Sequence, residues 1–247
     1  MKQQKKTDQD LLHRTGHSIC IILPALNEEL AVGKVIDEIP RKILEAEGYQ
    51  VDIIVVDGNS HDQTKQVAWE KGARVIVEPQ RGKGRAVRTA MDSTEADFIF
   101  ILDADYTYPA GHITNMLNIL QQGEPVIVGS RLRGQRERGA ISRPNIVGNI
   151  MLTLLARILY SVSISDICTG YWGLRGEILP KLNLSANGFQ FEADLFTELV
   201  KNGYHITEIP IYYRRREGKT KLIHIRDGFK IGATLISKRF AKRPLAG

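Results

Sequence analysis

Residues 98–105 read FIFILDAD, an apolar run that ends in two carboxylates two positions apart. Such a run predicts a strand buried on both faces, and a charged side chain has no place inside it. We therefore expect Asp103 and Asp105 at the carboxyl end of the strand, where open α/β sheets bind ligands. Two close carboxylates favour a cation between them, and oxygen ligands suit Mg²⁺ or Mn²⁺. One interpretation is a metal site that holds a phosphate-bearing ligand, and the other is a strand that ends in solvated acids.

The bulk composition is that of an ordinary globular protein. The chain has 247 residues, of which 43% are hydrophobic and 25% charged, which allows one large α/β domain or two small ones. The net charge of +6 is concentrated in residues 131–143, 214–226 and 238–243, which suits phosphorylated substrates or anionic lipid. Nucleic acid is not expected as a partner, because no binding signature accompanies these basic stretches. The two cysteines lack metal-type spacing, which indicates a reducing, cytoplasmic compartment.

We expect neither a signal peptide at residues 1–17 nor a membrane-spanning helix at residues 146–164. Residues 1–17 are polar without an apolar signal-peptide core, and we expect a disordered tail. The longest apolar stretch, residues 146–164, contains Asn149 and Arg157. It falls short of the roughly 20 apolar residues that a spanning helix needs. The sequence therefore favours a soluble or peripheral protein.

Strands and helices alternate from residue 18 to residue 130. This alternation predicts a mostly parallel sheet with right-handed crossovers. Asn27 is expected to cap the first helix and Asp62 the second. The predicted strands are residues 18–23, 51–56, 74–77, 97–102 and 126–128, and the helices between them end near residues 39, 71, 91 and 120.

The second part of the chain, residues 131–247, is less regular. It contains predicted helices at 144–160, 191–201 and 227–240 and a strand at 204–213. No linker precedes it, so one domain with two halves, 18–130 and 131–247, is expected. The apolar side of helix 144–160 is expected to face the core. The basic amphipathic helix 227–240 is suited either to an anionic membrane surface or to packing against the domain or a second copy.

Polar residues also follow the other predicted strands. Asp57, after the second strand, is placed to accept hydrogen bonds from a ribose or a base. The segment RGKGR at 81–85 opens a helix, and its glycines allow close approach of a ligand whose negative charge the helix N-terminus favours. Lys83 lies within it. The spacing is not that of a P-loop.

The ordered set of these segments resembles the family 2 glycosyltransferases of the GT-A fold, and within them the polyprenyl (dolichyl) phosphate hexose synthases. The resemblance covers about residues 18–230. It rests on PALNEE at 24–29, VVDGNSHDQT at 55–64, RGKGRAVR at 81–88, LDADYTYP at 102–109, GSR at 129–131, DICTGY at 166–171, GFQFE at 188–192 and REGKTKL at 216–222.

The resemblance implies a Rossmann-like, mostly parallel sheet whose halves bind the nucleotide sugar (18–130) and the acceptor (131–247). It implies a nucleoside pocket lined by Pro24, Ala25, Asn27, Glu28, Asp57, Lys83 and Asp103, a metal on Asp103 and Asp105, and catalytic or phosphate-binding roles for Asp105, Arg131, Arg216 and Lys221. Some relatives carry Gln as a further metal ligand where this chain has Thr107, so Thr107 or water is expected to fill that place. UDP-glucose or UDP-N-acetylglucosamine is favoured over GDP-mannose.

The chemistry depends on the acceptor. A sugar hydroxyl must lose a proton and needs a carboxylate base, for which Glu192 is a candidate, whereas a lipid phosphate needs only cations to position it. The expected enzyme is therefore a metal-dependent, inverting hexosyltransferase that acts on polyprenyl phosphate at the cytoplasmic face of a membrane. A soluble transferase with a small acceptor such as a phosphoglycerate, or a non-catalytic nucleotide-sugar-binding module, are the alternatives. The sequence leaves the oligomeric state open.

Overall fold

A computed structural model describes residues 17–218 and 224–241 of the chain. Their centre is a seven-stranded sheet with helices on both faces, as the alternation of elements predicts. The spatial order of the strands is β3-β2-β1-β4-β6-β5-β7. They are β1 (Ser18–Ala25), β2 (Gln50–Asp57), β3 (Arg74–Val77), β4 (Phe98–Ile101), β5 (Val126–Ser130), β6 (Trp172–Arg175) and β7 (Ile206–Pro210).

The helices of the described residues form two layers. Helices α1, α2, α3 and α5 pack on one face of the sheet, and α4, α6, α7 and α8 pack on the other. The tail predicted at residues 1–17 lies outside the described residues except for its last position. The helices are α1 (Val32–Glu38), α2 (Arg41–Ala46), α3 (Thr64–Glu70), α4 (Lys83–Met91), α5 (His112–Gln121), α6 (Arg143–Tyr160), α7 (Phe191–Lys201) and α8 (His224–Phe240), with a 3₁₀ helix at Gly176–Lys181.

The central strands are parallel and buried on both faces. β1 pairs in parallel with β2 on one side and with β4 on the other, and every residue of β4 is buried. The prediction of a doubly buried strand before Asp103 is thus confirmed. The chain order reverses between β1 and β4, and a crevice at such a point is where open α/β sheets bind their ligands.

β6 was not predicted from the sequence. It is a four-residue strand that pairs antiparallel with both β4 and β5 and so joins the two halves of the chain in one sheet. Gly173 lies inside it, where a Cβ atom would approach a side-chain carbon of Ile127 to 2.8 Å. A short run interrupted by glycine carries little strand signal, although here the glycine permits close packing.

The first predicted helix begins later than expected. α1 starts at Val32, and Asn27 does not cap it, because its φ of 49° places it in a left-handed turn. The backbone N–H of Asn27 donates to Ser60 Oγ (2.8 Å), and its Oδ1 accepts from the N–H of His61 (2.9 Å). Asn27 therefore ties the loop after β1 to the loop after β2. Asp62 is not the N-cap residue either, because that position is Gln63, but its Oδ1 accepts from the N–H of Thr64 at the start of α3 (3.0 Å).

The expectation that the apolar side of helix 144–160 faces the core is wrong for most of its residues, although Leu155 and Leu159 do pack against the core. Asn149, Thr153 and Ala156 are the buried residues of α6. The polar pair turns inward because Asn149 donates to the buried Asp166 (2.6 Å) and Thr153 Oγ1 accepts from the N–H of Ile167 (3.2 Å). The opposite, apolar side is left 53–69% exposed and consists of Val147, Ile150, Met151, Leu154 and Ile158. None of the described helices is long and apolar enough to cross a membrane.

Candidate active site

Asp103 lies just beyond β4 and contacts Lys83 from the start of α4. The distance from Lys83 Nζ to Asp103 Oδ1 is 2.5 Å. Gly170, in the segment before β6, leaves room for this carboxylate, since a Cβ atom there would lie 2.6 Å from Asp103 Oδ2. Three segments remote in sequence thus meet at the end of β4.

Lys83 is shared between two carboxylates. Its Nζ also lies 2.5 Å from Oε1 of Glu192, in the first turn of α7. Burial opposes the charge on Lys83, but Asp103 and Glu192 raise its pKa above the ordinary value, so the ammonium stays charged. Burial also raises the pKa of Glu192 despite the nearby ammonium. In this arrangement Glu192 holds Lys83 and is not free to act as a base.

Asp105 is buried and held on both oxygens. Its Oδ1 accepts from the hydroxyl (2.6 Å) and the backbone N–H (3.2 Å) of Thr107. Its Oδ2 lies 3.0 Å from Nη1 of Arg216, whose Nη2 donates to Glu28. Burial and the charge of Asp103 raise the pKa of Asp105, and Arg216 opposes them. The hydroxyl of Thr107 thus orients this carboxylate.

Arg131 follows β5 and is fixed by a fully buried acid. Its Nε and Nη2 donate to the two oxygens of Asp166 (2.8 and 2.7 Å), and its backbone N–H donates to the same carboxylate (2.9 Å). Burial opposes the charge on Asp166, but Arg131 and Asn149 hold its pKa below the ordinary value. Asp166 is thus a structural acid that pairs with an arginine. Nη1 of Arg131 has no hydrogen-bond partner among the described residues and is available to an anion.

The residues predicted to bind the nucleoside lie at the ends of β1 and β2. Pro24 and Ala25 are the last residues of β1 and pair with Val56 and Asp57 of β2. Asp57 is fully buried, and its Oδ2 accepts from the N–H of Ser60 (2.9 Å). Its Oδ1 is buried without a hydrogen-bond partner among the described residues. A buried acceptor left in this way is costly unless a ligand supplies a donor.

The glycines around Lys83 serve a purpose that the sequence did not reveal. Gly82 has a φ of 144°, and a Cβ atom on Gly82 or Gly84 would collide with the carbonyl oxygens of Asn187 and Ala186. The N–H of Arg85 also donates to the carbonyl of Asn187 (3.2 Å). The close approach that these glycines allow is therefore to another backbone segment of the protein, which fixes the position of Lys83.

A cavity of about 420 Å³ brings together the predicted residues Lys83, Asp103, Asp105, Arg131 and Arg216. Pro24, Ala25, Asn27, Glu28, Asp57 and Thr107 do not line it, and Lys221 lies outside the described residues. The sequence did not single out Tyr213 or Leu152, because only the packing of remote segments places them here. The remaining walls are mainly apolar and come from Leu132, Ala140, Ile141, Pro144, Ile146, Leu152, Phe189 and Ile231, with Tyr213 and Glu192.

The donor set suits a hard divalent cation only in part. Asp103 and Asp105 offer carboxylate oxygens beside the cavity, as Mg²⁺ or Mn²⁺ requires. Among the described residues no group of three or more His, Cys, Asp or Glu side chains is arranged to hold a metal. A cation on these two acids would therefore need oxygens from a bound diphosphate or from water, which is common for Mg²⁺.

Comparison with known proteins identifies the family of the chain. A family model described as glycosyl transferase family 2 matches residues 20–182. Glycosyltransferase AglJ of Haloferax volcanii is 34% identical over 94% of this chain and 75% of its own length. A dolichyl-phosphate hexose transferase of the same organism is 32% identical over 90% of this chain and 94% of its own length.

A solved structure extends the likeness to the fold. It is glucosyl-3-phosphoglycerate synthase from Mycobacterium tuberculosis, crystallised with Mn²⁺, UDP-glucose and phosphoglyceric acid. It superposes with a TM-score of 0.72 at 23% identity, over 92% of this chain and 82% of its own chain. The chain belongs to glycosyltransferase family 2, has the GT-A fold predicted from its motifs, and is a glycosyltransferase.

Proposed function

We propose that the protein transfers a hexose from a nucleotide sugar to dolichyl or another polyprenyl phosphate, with inversion at the anomeric carbon and with Mg²⁺ or Mn²⁺. The observation that carries this proposal is the composition of the cavity. Lys83, Arg131 and Arg216 supply its cations, and its walls are mainly apolar, with Ile146 and Leu152 from α6 and Ile231 from α8 among them. A lipid phosphate has the same two parts, an anionic head and an apolar chain.

The donor nucleoside is proposed to lie at the ends of β1 and β2. The unpartnered Oδ1 of Asp57 would accept a hydrogen bond from its base or ribose, with Pro24, Ala25, Asn27 and Glu28 around it. The matched dolichyl-phosphate hexose transferase supports a hexose donor. UDP-glucose or UDP-N-acetylglucosamine remains our preferred donor over GDP-mannose.

The diphosphate is proposed to lie between the D-A-D segment and the cations of the second half. A divalent metal on Asp103 and Asp105 would neutralise the charge that grows on the leaving diphosphate oxygen. Arg216 lies beside Asp105, where its guanidinium can also stabilise the negative charge on the leaving diphosphate. Lys221 is proposed to assist it, and Thr107 to orient Asp105 and not to coordinate the metal.

The acceptor phosphate needs no base, because one of its oxygens is already anionic. That oxygen would attack the anomeric carbon from the face opposite the leaving diphosphate, forming the new bond as the old one breaks. The free Nη1 of Arg131 is suited to hold this phosphate. The pairing of Glu192 with Lys83 supports a reaction that does without a carboxylate base.

The acceptor also implies contact with a membrane, which we place at α6 and α8. These helices pack side by side, as shown by the hydrogen bond from the Tyr160 hydroxyl to the carbonyl of Leu235 (2.8 Å). Both expose apolar side chains, five on α6 and Phe229, Ile236 and Phe240 on α8. The exposed cations Arg157, Arg226 and Lys230 on the same helices suit an anionic leaflet, which is the cytoplasmic one.

The experiment is an incubation of the purified protein with labelled UDP-glucose, UDP-N-acetylglucosamine or GDP-mannose and dolichyl phosphate in detergent. We expect label in the lipid phase with one of the UDP-sugars, dependent on Mg²⁺ or Mn²⁺ and lost with EDTA. Lack of metal-dependent lipid label with every donor would refute the proposal. Label in a phosphoglycerate would favour the small-acceptor enzyme, and nucleotide binding without any transfer would favour a non-catalytic module.

A further inference from the structure

Helix α1 contacts Arg214 and Glu217, which precede and follow Arg216 in the sequence. No role in the site was predicted for α1 from the sequence. Glu38 accepts from both terminal nitrogens of Arg214, at 2.9 Å each. Lys34, one helical turn earlier, lies 2.5 Å from the carboxylate of Glu217. Positions i and i+4 share one helix face, so a single face of α1 contacts both sides of Arg216.

The same face also contacts Tyr106, the residue after Asp105. The hydroxyl of Tyr106 donates to Glu38 (3.0 Å). The ring of Tyr106 lies beneath the guanidinium of Arg214, with 4.4 Å between Cζ and the ring centroid, and Lys34 Nζ lies 5.7 Å from that centroid. Tyr106 therefore contacts Glu38, Arg214 and Lys34 at once.

Tyr106 needs such support because its backbone conformation is unusual. Its φ of 67° is in the left-handed region, which a bulky non-glycine residue rarely adopts without surrounding contacts. This turn brings the hydroxyl and N–H of Thr107 onto Oδ1 of Asp105 and so sets the direction of that carboxylate. A change in the turn would move Asp105.

Backbone hydrogen bonds complete the connection. The N–H of Arg214 donates to the carbonyl of Thr107 (3.0 Å), and the N–H of Glu217 donates to the carbonyl of Asp105 (3.3 Å). Residues 214–217 thus lie along residues 105–107, which places Arg216 against Asp105. The side-chain contacts of α1 hold both segments in this register.

We infer that Glu38 is a positioning residue for glycosyl transfer, which, with Lys34, holds the Asp105–Arg216 pair in its working geometry. The inference rests on the proposed function of that pair. The contacts are partly exposed, with 27% and 22% of the Glu38 and Arg214 side chains accessible. Partly exposed ion pairs add little to stability, so the loss of Glu38 should affect turnover far more than folding.

The test compares Glu38→Gln, Arg214→Glu, Glu38→Arg and the double variant Glu38→Arg/Arg214→Glu. We expect Glu38→Gln to lower kcat by about 10- to 100-fold, as loss of a supporting contact does at other sites, with little change in the KM for the lipid acceptor or in the thermal midpoint. The double variant should recover part of the activity that each single charge reversal loses. Glu45→Gln is the matched control, because Glu45 forms an exposed pair with Arg41 on α2 (2.8 Å) and should change nothing.

A normal kcat for Glu38→Gln, or a double variant no better than the weaker single variant, would overturn the inference. If Glu38→Gln does not fold, Lys34→Met is measured in the same way. It should then show the same fall in kcat with little change in the thermal midpoint. If the wild-type protein transfers no sugar, the proposed function fails, and calorimetric titration with UDP and Mn²⁺ decides the inference separately. Glu38→Gln should then weaken that binding about 10-fold, and unchanged binding would overturn it.

Discussion

Nη1 of Arg216 lies 3.0 Å from Oδ2 of Asp105, so the carboxylate proposed to bind a metal is already paired with a cation of the protein. The same guanidinium contacts Glu28, which joins the loop after β1 to the second half of the chain. A divalent cation on Asp105 must share this carboxylate with Arg216. If a metal binds Asp105 as proposed, its binding and the position of Arg216 should therefore depend on each other.

Arg216→Met should separate these two effects. Without the guanidinium, Mn²⁺ alone should bind about 5-fold more tightly or better, since a unit charge a few ångströms away is worth about 1 kcal/mol even at the dielectric constant of water. Turnover should nevertheless fall about 100-fold, because a cation on the developing charge is lost. Calorimetry measures the Mn²⁺ affinity, and initial rates measure the turnover. Arg215→Met removes a neighbouring exposed charge and should change neither by more than about 2-fold.

Asp105→Asn should abolish metal-dependent turnover while the fold is kept. The amide retains an oxygen that can accept from Thr107, but it loses the charge that a divalent cation requires. We expect a fall in rate of about 1,000-fold and a loss of Mn²⁺ binding, measured by initial rates and calorimetry with circular dichroism as the test of folding. Asp92→Asn, an exposed position at the end of α4, is the control. A near-normal rate for Asp105→Asn would remove this residue from the site.

Asp57→Ala should mainly affect the donor. Its Oδ1 is buried and unpartnered, so a donor nucleoside that hydrogen-bonds to it gains a charge-assisted contact. Loss of such a bond is worth about 1.5–3 kcal/mol, which corresponds to a rise in the donor KM of about 10- to 100-fold. The KM for the lipid acceptor should stay the same. Equal changes in both constants would indicate a structural defect and contradict the assignment.

The sequence predicted the sheet well where strands are long and continuous. The run before Asp103 and the β-α alternation to residue 130 carry strong patterns, because both faces of such strands are buried. β6 has only four residues with a glycine among them, and α2 has six, so neither carries a recognisable period. The buried side of α6 was mispredicted because an apolar stripe on a helix shows that one surface is apolar but does not show which partner covers that surface.

The residue pattern alone placed site residues where they lie at strand ends, whereas Lys83 and Arg216, which also line the cavity, were named from loop motifs. Asp57, Asp103 and Asp105 could be placed from the strand pattern, since parallel strands bring their carboxyl ends to one edge. The pairing of Lys83 with Glu192 and of Glu38 with Arg214 joins segments more than 100 positions apart. Such contacts depend on how the helices pack on the sheet, and nothing in the local sequence encodes them.

The Arg131–Asp166 pair should make stability depend on pH in a defined direction. The pKa of Asp166 in the folded protein is below its ordinary value of 3.8, so the unfolded chain binds the proton more readily. Its contribution is therefore complete above about pH 4 and is lost as the pH falls through the folded-state pKa. Asp166→Asn should cost about 3–5 kcal/mol near pH 7, because it leaves Arg131 buried and unpaired. Urea unfolding from pH 7 to pH 3 should show this difference shrink on acidification, and a constant difference would contradict it.

The exposed apolar side of α6 offers the sharpest test of membrane contact. Ile150, Leu154 and Ile158 are 53%, 55% and 69% exposed, so the triple change to Ser should leave the fold intact. If each side chain contributes about 1 kcal/mol on entering the lipid, the triple variant should bind vesicles more weakly by on the order of 100-fold. Trp69→Ser is the control, because Trp69 is 67% exposed on α3, which packs on the opposite face of the sheet. Flotation with vesicles that contain anionic lipid measures binding. Equal flotation of the triple variant and the wild-type protein would exclude α6 as the contact, and loss of binding by Trp69→Ser alone would move the contact to the other face.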